Sequence, residues 1–171
     1  PDVNITGFTM QNGGGFPYSG IELYGSNGAI IFGNKITNNS NVGIVVRDSS
    51  NNVIHYNTII NNSMGVWITS GSSLFNTFYH NNIIDNVNQA QSFATTTKWD
   101  NGAEGNYWND YTGNDSNGNG IGDTAYVESI IDYYPLMEPW SPYRVFSVTI
   151  DEVTYSCLLY TSPSPRDRQK S

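Results

Sequence analysis

The chain has 171 residues, 37% hydrophobic and 13% charged, with a formal net charge of −8. Charged residues run at about half the usual share of roughly 25%, and 23 asparagines and 17 glycines take their place. Seven Lys and Arg give no basic stripe for a phosphate backbone, no apolar run is long enough to span a membrane, and regularly recurring Ile, Val, Phe, Tyr and Trp argue against disorder.

Taken in chain order, the elements repeat. After a degenerate first copy at Phe8-Thr9-Met10, a strand motif Gly20-Ile21-Glu22-Leu23 returns as Gly43-Ile44-Val45-Val46 and Gly65-Val66-Trp67-Ile68. Between these come Ala29-Ile30-Ile31-Phe32, Asn52-Val53-Ile54-His55 and Asn76-Thr77-Phe78-Tyr79. A third motif, Asn34-Lys35-Ile36-Thr37-Asn38-Asn39, recurs at Asn57–Asn62 and Asn81–Asn86, shifts of 23 and 24 residues. Three runs per period, each too short for a helix, predict an all-β fold: a parallel β-helix of 22–24 residues per turn, with three to four turns in residues 1–104. Alternate side chains point inward, so Ile21/Leu23, Ile44/Val46 and Val66/Ile68 should stack as ladders. Asn and Gly suit bends of left-handed backbone, and stacked Asn amides can bond the turns above and below.

Residues 4–140 resemble the NosD-like right-handed β-helix proteins, which include repeat-rich surface proteins. The resemblance is sharpest at Gly105-Asn106-Tyr107-Trp108-Asn109-Asp110-Tyr111-Thr112-Gly113, Asn117-Gly118-Asn119-Gly120-Ile121-Gly122-Asp123 and Asp132-Tyr133-Tyr134-Pro135 through Trp140. It implies that 105–142 is an irregular segment capping the last coil. The aromatic residues Tyr107, Trp108, Tyr111 and Trp140 suit that task, because an open coil end exposes strand edges and core. Residues 143–156 begin like a β-sandwich module. The chain starts at Pro1 inside the repeat, so further coils are expected upstream and further domains at both ends. The string from Cys157 to Asp167 matches a translation of a transposase-library sequencing adapter, so 157–171 reads as a disordered, adapter-derived tail. Without it the sole Cys disappears, and four Lys and Arg face fourteen Asp and Glu.

Asp115, Asn117, Asn119, the Ile121 carbonyl and Asp123 occupy positions 1, 3, 5, 7 and 9 of an EF-hand-type loop, with Gly120 at the turn. Calcium is the expected cofactor, bound weakly, because Tyr126 stands where a bidentate Glu belongs; the family resemblance implies calcium too. Copper, which the NosD resemblance suggests, would need convergent His, Met or Cys. His55 and His80 are one register position apart and should leave opposite faces if both are extended; Met10, Met64 and Met137 are scattered. No copper site and no catalytic residues are assigned, since Glu22 finds no acidic partner on the next turns. By alternation Glu22, Val45 and Trp67 form one exposed column and Tyr24, Arg47 and Thr69 the next. Glu22, Tyr24, Arg47 and Trp67 thus offer a sugar platform.

Three functions stay open. The first is a non-catalytic extracellular, cell-surface or periplasmic module that binds polysaccharide or envelope components. The second is a fragment of a polysaccharide lyase or hydrolase with catalytic coils upstream. The third is a NosD-type periplasmic accessory for copper insertion into nitrous oxide reductase. Glycosylation triplets at Asn4, Asn38, Asn61 and Asn114 do not separate them, because chance supplies several in so Asn-rich a chain.

Overall fold

The computed structural model describes residues 3–14, 18–150 and 153–160. It comprises two units, Pro1–Trp140 and Ser141–Ser171. In the first, β1 (Asn4–Thr6), β4 (Ile30–Phe32), β7 (Val53–His55) and β10 (Thr77–Tyr79) form sheet A. Sheet B joins β2 (Thr9–Gln11), β5 (Lys35–Thr37), β8 (Thr58–Ile60), β11 (Asn82–Ile84) and β13 (Tyr107–Trp108). Sheet C joins β3 (Ser19–Tyr24), β6 (Val42–Arg47), β9 (Met64–Ile68) and β12 (Asn88–Ser92). Every pairing within these sheets is parallel. The chain visits A, B and C in turn and climbs one strand per circuit. This is a parallel β-solenoid of about four turns.

The expected ladders form the core. Ile21, Ile44, Val66 and Ala90 are register partners, as are Leu23, Val46, Ile68 and Ser92. Sheet A adds Ile5, Ile31, Ile54 and Phe78, and sheet B adds Met10, Ile36, Ile59, Ile83 and Trp108. Ile31, Ile54, Ile59, Val66 and Phe78 are fully buried, each contributing about 1.5–3 kcal/mol by leaving water.

Asparagine builds the corners. At the A–B corner the Asn34 side-chain amide donates to Asn57 Oδ1 (3.0 Å), Asn57 to Asn81 (3.0 Å) and Asn81 to Asn106 (2.9 Å). At the B–C corner Asn39, Asn62 and Asn86 repeat the arrangement, and at the C–A corner Asn52 donates to Asn76. Asn34, Asn39, Asn52, Asn57, Asn62 and Asn81 also present their backbone N–H to the Oδ1 one turn on, as Asn57 does to Asn81 (3.1 Å). The left-handed positions fall one residue earlier than these amides. Gly33, Tyr56 and His80 precede Asn34, Asn57 and Asn81, all with positive φ. Two tasks assigned to one asparagine in the sequence are thus divided between neighbours, and the ladder is strong enough to hold even aromatic residues in that backbone region. On sheet C the backbones pass closest at Gly65, where a Cβ would clash with the Gln89 carbonyl oxygen of the next turn.

Aromatic residues close the upper end of the core, though not all of those expected. Trp108 is buried and stacks on Tyr126 with centroids 4.4 Å apart, and Trp99 stacks on Phe78 at 4.6 Å. Tyr111 packs partly buried against the same cluster. Trp140 instead stacks on Tyr56 at 4.0 Å, outside the coil, where Asn82 grips its backbone N–H (2.7 Å) and carbonyl (3.0 Å). A short antiparallel pair, β14 (Tyr126–Val127) and β15 (Ile131–Asp132), completes this unit. In the second unit β16 (Tyr143–Ile150) pairs antiparallel with β17 (Val153–Tyr160), Tyr143 opposite Tyr160. The remainder of the adapter-like stretch, from residue 161, lies outside the described residues.

Candidate functional site

Three groupings carry polar chemistry, and each is set by the register of the coil. On the outward face of sheet C, Tyr24 pairs with Arg47 and Glu22 with Val45. The Arg47 guanidinium bonds the Glu22 carboxylate and stands over the Tyr24 ring, 4.7 Å from its centroid. Tyr24 remains 69% exposed, so its other face is open to solvent. Trp67 follows on the next strand opposite Val45, half-buried, with its indole N–H buried and without a hydrogen-bond partner among the described residues.

Val45, expected in the exposed column, is only 8% exposed. It points outward, but its register neighbours Glu22 and Trp67 are longer and shield it. The column runs on through Gln91, opposite Trp67, into a cleft of about 330 Å³ lined by Asn88, Gln91, Asp110, Glu128 and Ser129. Gln91 was within reach of the sequence, one 24-residue period beyond Trp67. Asp110 and Glu128 were not, since they come from the non-repeating segment.

The second grouping is the Asp115–Asp123 loop. Asp115 Oδ1 accepts the N–H groups of Gly118 (2.8 Å) and Asn119 (3.1 Å), and Oδ2 accepts that of Gly120 (2.7 Å). The Asn117 and Asn119 side-chain oxygens accept from Asn119 and Ile121 N–H groups (3.0 and 2.9 Å). Asp123 accepts from Ser116 N–H at 2.8 Å, and its hydrogen bonds with Ser116 hold its carboxyl below the usual range. All five expected positions therefore lie in one exposed, tightly wound loop. Tyr126 stands at the twelfth place because its ring caps Trp108 and its hydroxyl donates to Asp110 (3.4 Å).

The third grouping was not expected. His55 and His80 both contact the rings of Tyr56 and Tyr79, with centroids 4.3–5.4 Å apart. Their separation onto opposite faces fails because Tyr56 and His80 have φ of 59° and 54°, which breaks strand alternation. His55 is sandwiched between Phe32 (5.5 Å) and Tyr79 (5.1 Å), and burial, with His80 nearby, pushes it down to about 4. His80 Nε2 lies 2.5 Å from Glu104 Oε2, and its ring stacks on Tyr56 and Trp140. These rings spend their faces on one another, which makes a poor surface for stacking a ligand.

The family model described as "Periplasmic copper-binding protein (NosD)" matches residues 4–113, well over half of the chain and all four turns of the coil. The chain belongs to the NosD family. A comparison with curated proteins returns no match. NosD membership raises the question of copper. Among the described residues no three His, Cys, Asp or Glu side chains gather where they could hold a metal ion. The softer donors are dispersed: Met10 packs against the core from sheet B, Met64 opens a strand of sheet C, and Met137 lies in the terminal segment. Of the two imidazoles, His55 is sandwiched between rings and His80 is bonded to Glu104.

Proposed function

We propose that this NosD-family solenoid is a non-catalytic module of an exported, envelope-facing protein, and that it binds carbohydrate on the outward face of sheet C. The observation that carries this reading is the fixed position of Arg47. Glu22 and Tyr24 hold it from two sides, so its remaining N–H donors meet a sugar hydroxyl without a further loss of side-chain freedom. The open face of Tyr24 and the half-buried Trp67 supply apolar area for sugar C–H groups, and the cleft beyond Gln91 adds carboxamide and carboxylate partners. The Asp115–Asp123 loop takes calcium in this proposal, its oxygens already gathered around one turn.

The test uses the full chain against a panel of immobilised polysaccharides, with and without calcium, scoring retention and new chain ends together. Retention without cleavage, weakened about tenfold by Trp67→Ala, is the expected result. New chain ends would replace this reading with an enzyme, and retention indifferent to Trp67 would move the site elsewhere. The family description supports a second reading, an accessory to copper-site assembly. Copper binding by this chain alone, lost in His55→Phe, would favour it.

A further inference from the structure

Where the last coil meets the terminal hairpin, a pocket of about 450 Å³ opens between Thr97, Lys98, Asn101, Ile131 and Tyr133, within the size range of small-ligand sites. We propose that it takes a sugar ring bearing a carboxylate, as a site separate from the sheet C face.

The polar side is held by the coil. Lys98 extends sheet A by one position: its N–H donates to the Asn76 carbonyl (2.9 Å) and its own carbonyl accepts from Phe78 (2.9 Å). Trp99 beside it is locked into the core, stacked on Phe78. The Lys98 backbone is therefore rigid while its side chain is exposed at the pocket. Lys98 makes no ion pair among the described residues, in a chain with a formal net charge of −8. Arg47 on sheet C, by contrast, is already neutralised by Glu22.

The other groups complement the ammonium. The Asn101 side-chain oxygen is committed to the N–H groups of Ala103 (3.0 Å) and Glu104 (2.9 Å), so its amide has only N–H donors to offer a ligand. Thr97 also lines the pocket, its hydroxyl buried without a hydrogen-bond partner among the described residues. Asp100, the acid on this rim, is 8% exposed and accepts the Gly102 N–H at 2.8 Å. Opposite these, Tyr133 is 62% and Ile131 44% exposed, forming an apolar wall. Tyr133 is itself positioned, because Asp132 before it is buried and bonded to Asn106, Trp108 and Tyr134. An apolar wall facing a cation and a neutral donor suits an acidic pyranose: C–H groups on Tyr133, carboxylate on Lys98, a hydroxyl on Asn101.

The experiment is an NMR titration of the full chain with galactose, galacturonate and trigalacturonate, following Thr97, Lys98 and Tyr133. Both acids should bind at least about fivefold tighter than galactose at low salt, with the gap closing as salt rises. Tighter binding of the trimer assigns the site to a polymer, and equal binding assigns it to a free sugar acid. Lys98→Gln should erase the preference for acid, Lys98→Arg should keep it, and Trp67→Ala should leave it unchanged. Equal affinity for galactose and galacturonate, or an acid preference that survives Lys98→Gln, would overturn the proposal. Loss of acid binding in Trp67→Ala would also overturn it, by moving the ligand to sheet C.

Discussion

Asp132 takes the place of a further asparagine above Asn106. Its Oδ2 accepts both the backbone N–H of Asn106 (2.7 Å) and the side-chain amide (3.3 Å), as Asn106 Oδ1 accepts both from Asn81 (3.1 and 2.9 Å). The same oxygen accepts from the Trp108 indole (2.9 Å), and Oδ1 accepts from the Tyr134 N–H (3.0 Å). A ladder of amides ends with donors pointing onward, and a carboxylate, which only accepts, satisfies them where the repeat stops. One side chain thereby ties the A–B corner, the Trp108 cap and the terminal segment together.

Asp132→Asn should therefore destabilise far more than its small change in shape implies. The amide would turn an NH₂ toward a site filled with N–H donors, at a cost of about 2–4 kcal/mol. Urea unfolding followed by tryptophan fluorescence measures this, and a loss under 0.5 kcal/mol would contradict the capping role.

Within the ladder, Asn57 is fully buried, receives two bonds from Asn34 and gives side-chain bonds to the Ile31 and His55 carbonyls (both 2.9 Å). Asn57→Ala strands all of these partners, so a loss of about 2–4 kcal/mol is expected. Exposed Asn117→Ala, which breaks one loop bond, serves as the comparison and should cost under about 1 kcal/mol. Similar losses in the two variants would show that the corner amides are not the main support of the coil.

Half-buried His55 and buried Asp132 push the pH dependence of stability in opposite directions. His55 is lowered to about 4, so its contribution is present above the unfolded value near 6.5 and is lost as pH falls toward 4. Asp132 is raised by burial to about 6, against the hydrogen bonds it accepts. Its contribution is present below the unfolded value near 4 and is lost as pH rises through 6. His55→Phe keeps a ring between Phe32 and Tyr79 and leaves the Asp132 dependence, so stability should fall as pH rises from 4 to 6. Asp132→Asn should show the reverse slope. Thermal melts across this range measure both, and parallel profiles in the two variants would refute the assignment.

Millimolar calcium should raise the melting temperature by a few degrees, since binding to the folded state alone stabilises by mass action. Asp115→Ala would remove three backbone N–H partners as well as a ligand, so it lowers stability even without the ion. Asp123→Asn is the cleaner variant, keeping an oxygen toward Ser116 while removing charge. It should abolish the calcium response with little change in the calcium-free melt. A response that persists in Asp123→Asn would place the ion outside this loop.

The sequence by itself determined the coil: its period, its three strands per turn, the inward ladders from Ile21 to Ile68 and the stacking of asparagine amides. Each of these is a local pattern that recurs every 23 or 24 residues, so parallel stacking converts sequence spacing directly into spatial register. The position of Arg47 beside Tyr24 and Glu22 followed from the same register. What the tertiary structure alone decided lies where the period breaks. Trp99 and Tyr126 close the core, while Trp140 crosses 58 positions to be gripped by Asn82 outside it, and aromatic content alone does not distinguish these fates. His55 and His80 share the rings of Tyr56 and Tyr79 because left-handed residues cancel the alternation from which their separation was expected. Asp132 ends the ladder because the non-repeating segment returns over the last coil and brings its carboxylate to donors that a further repeat would have met with asparagine.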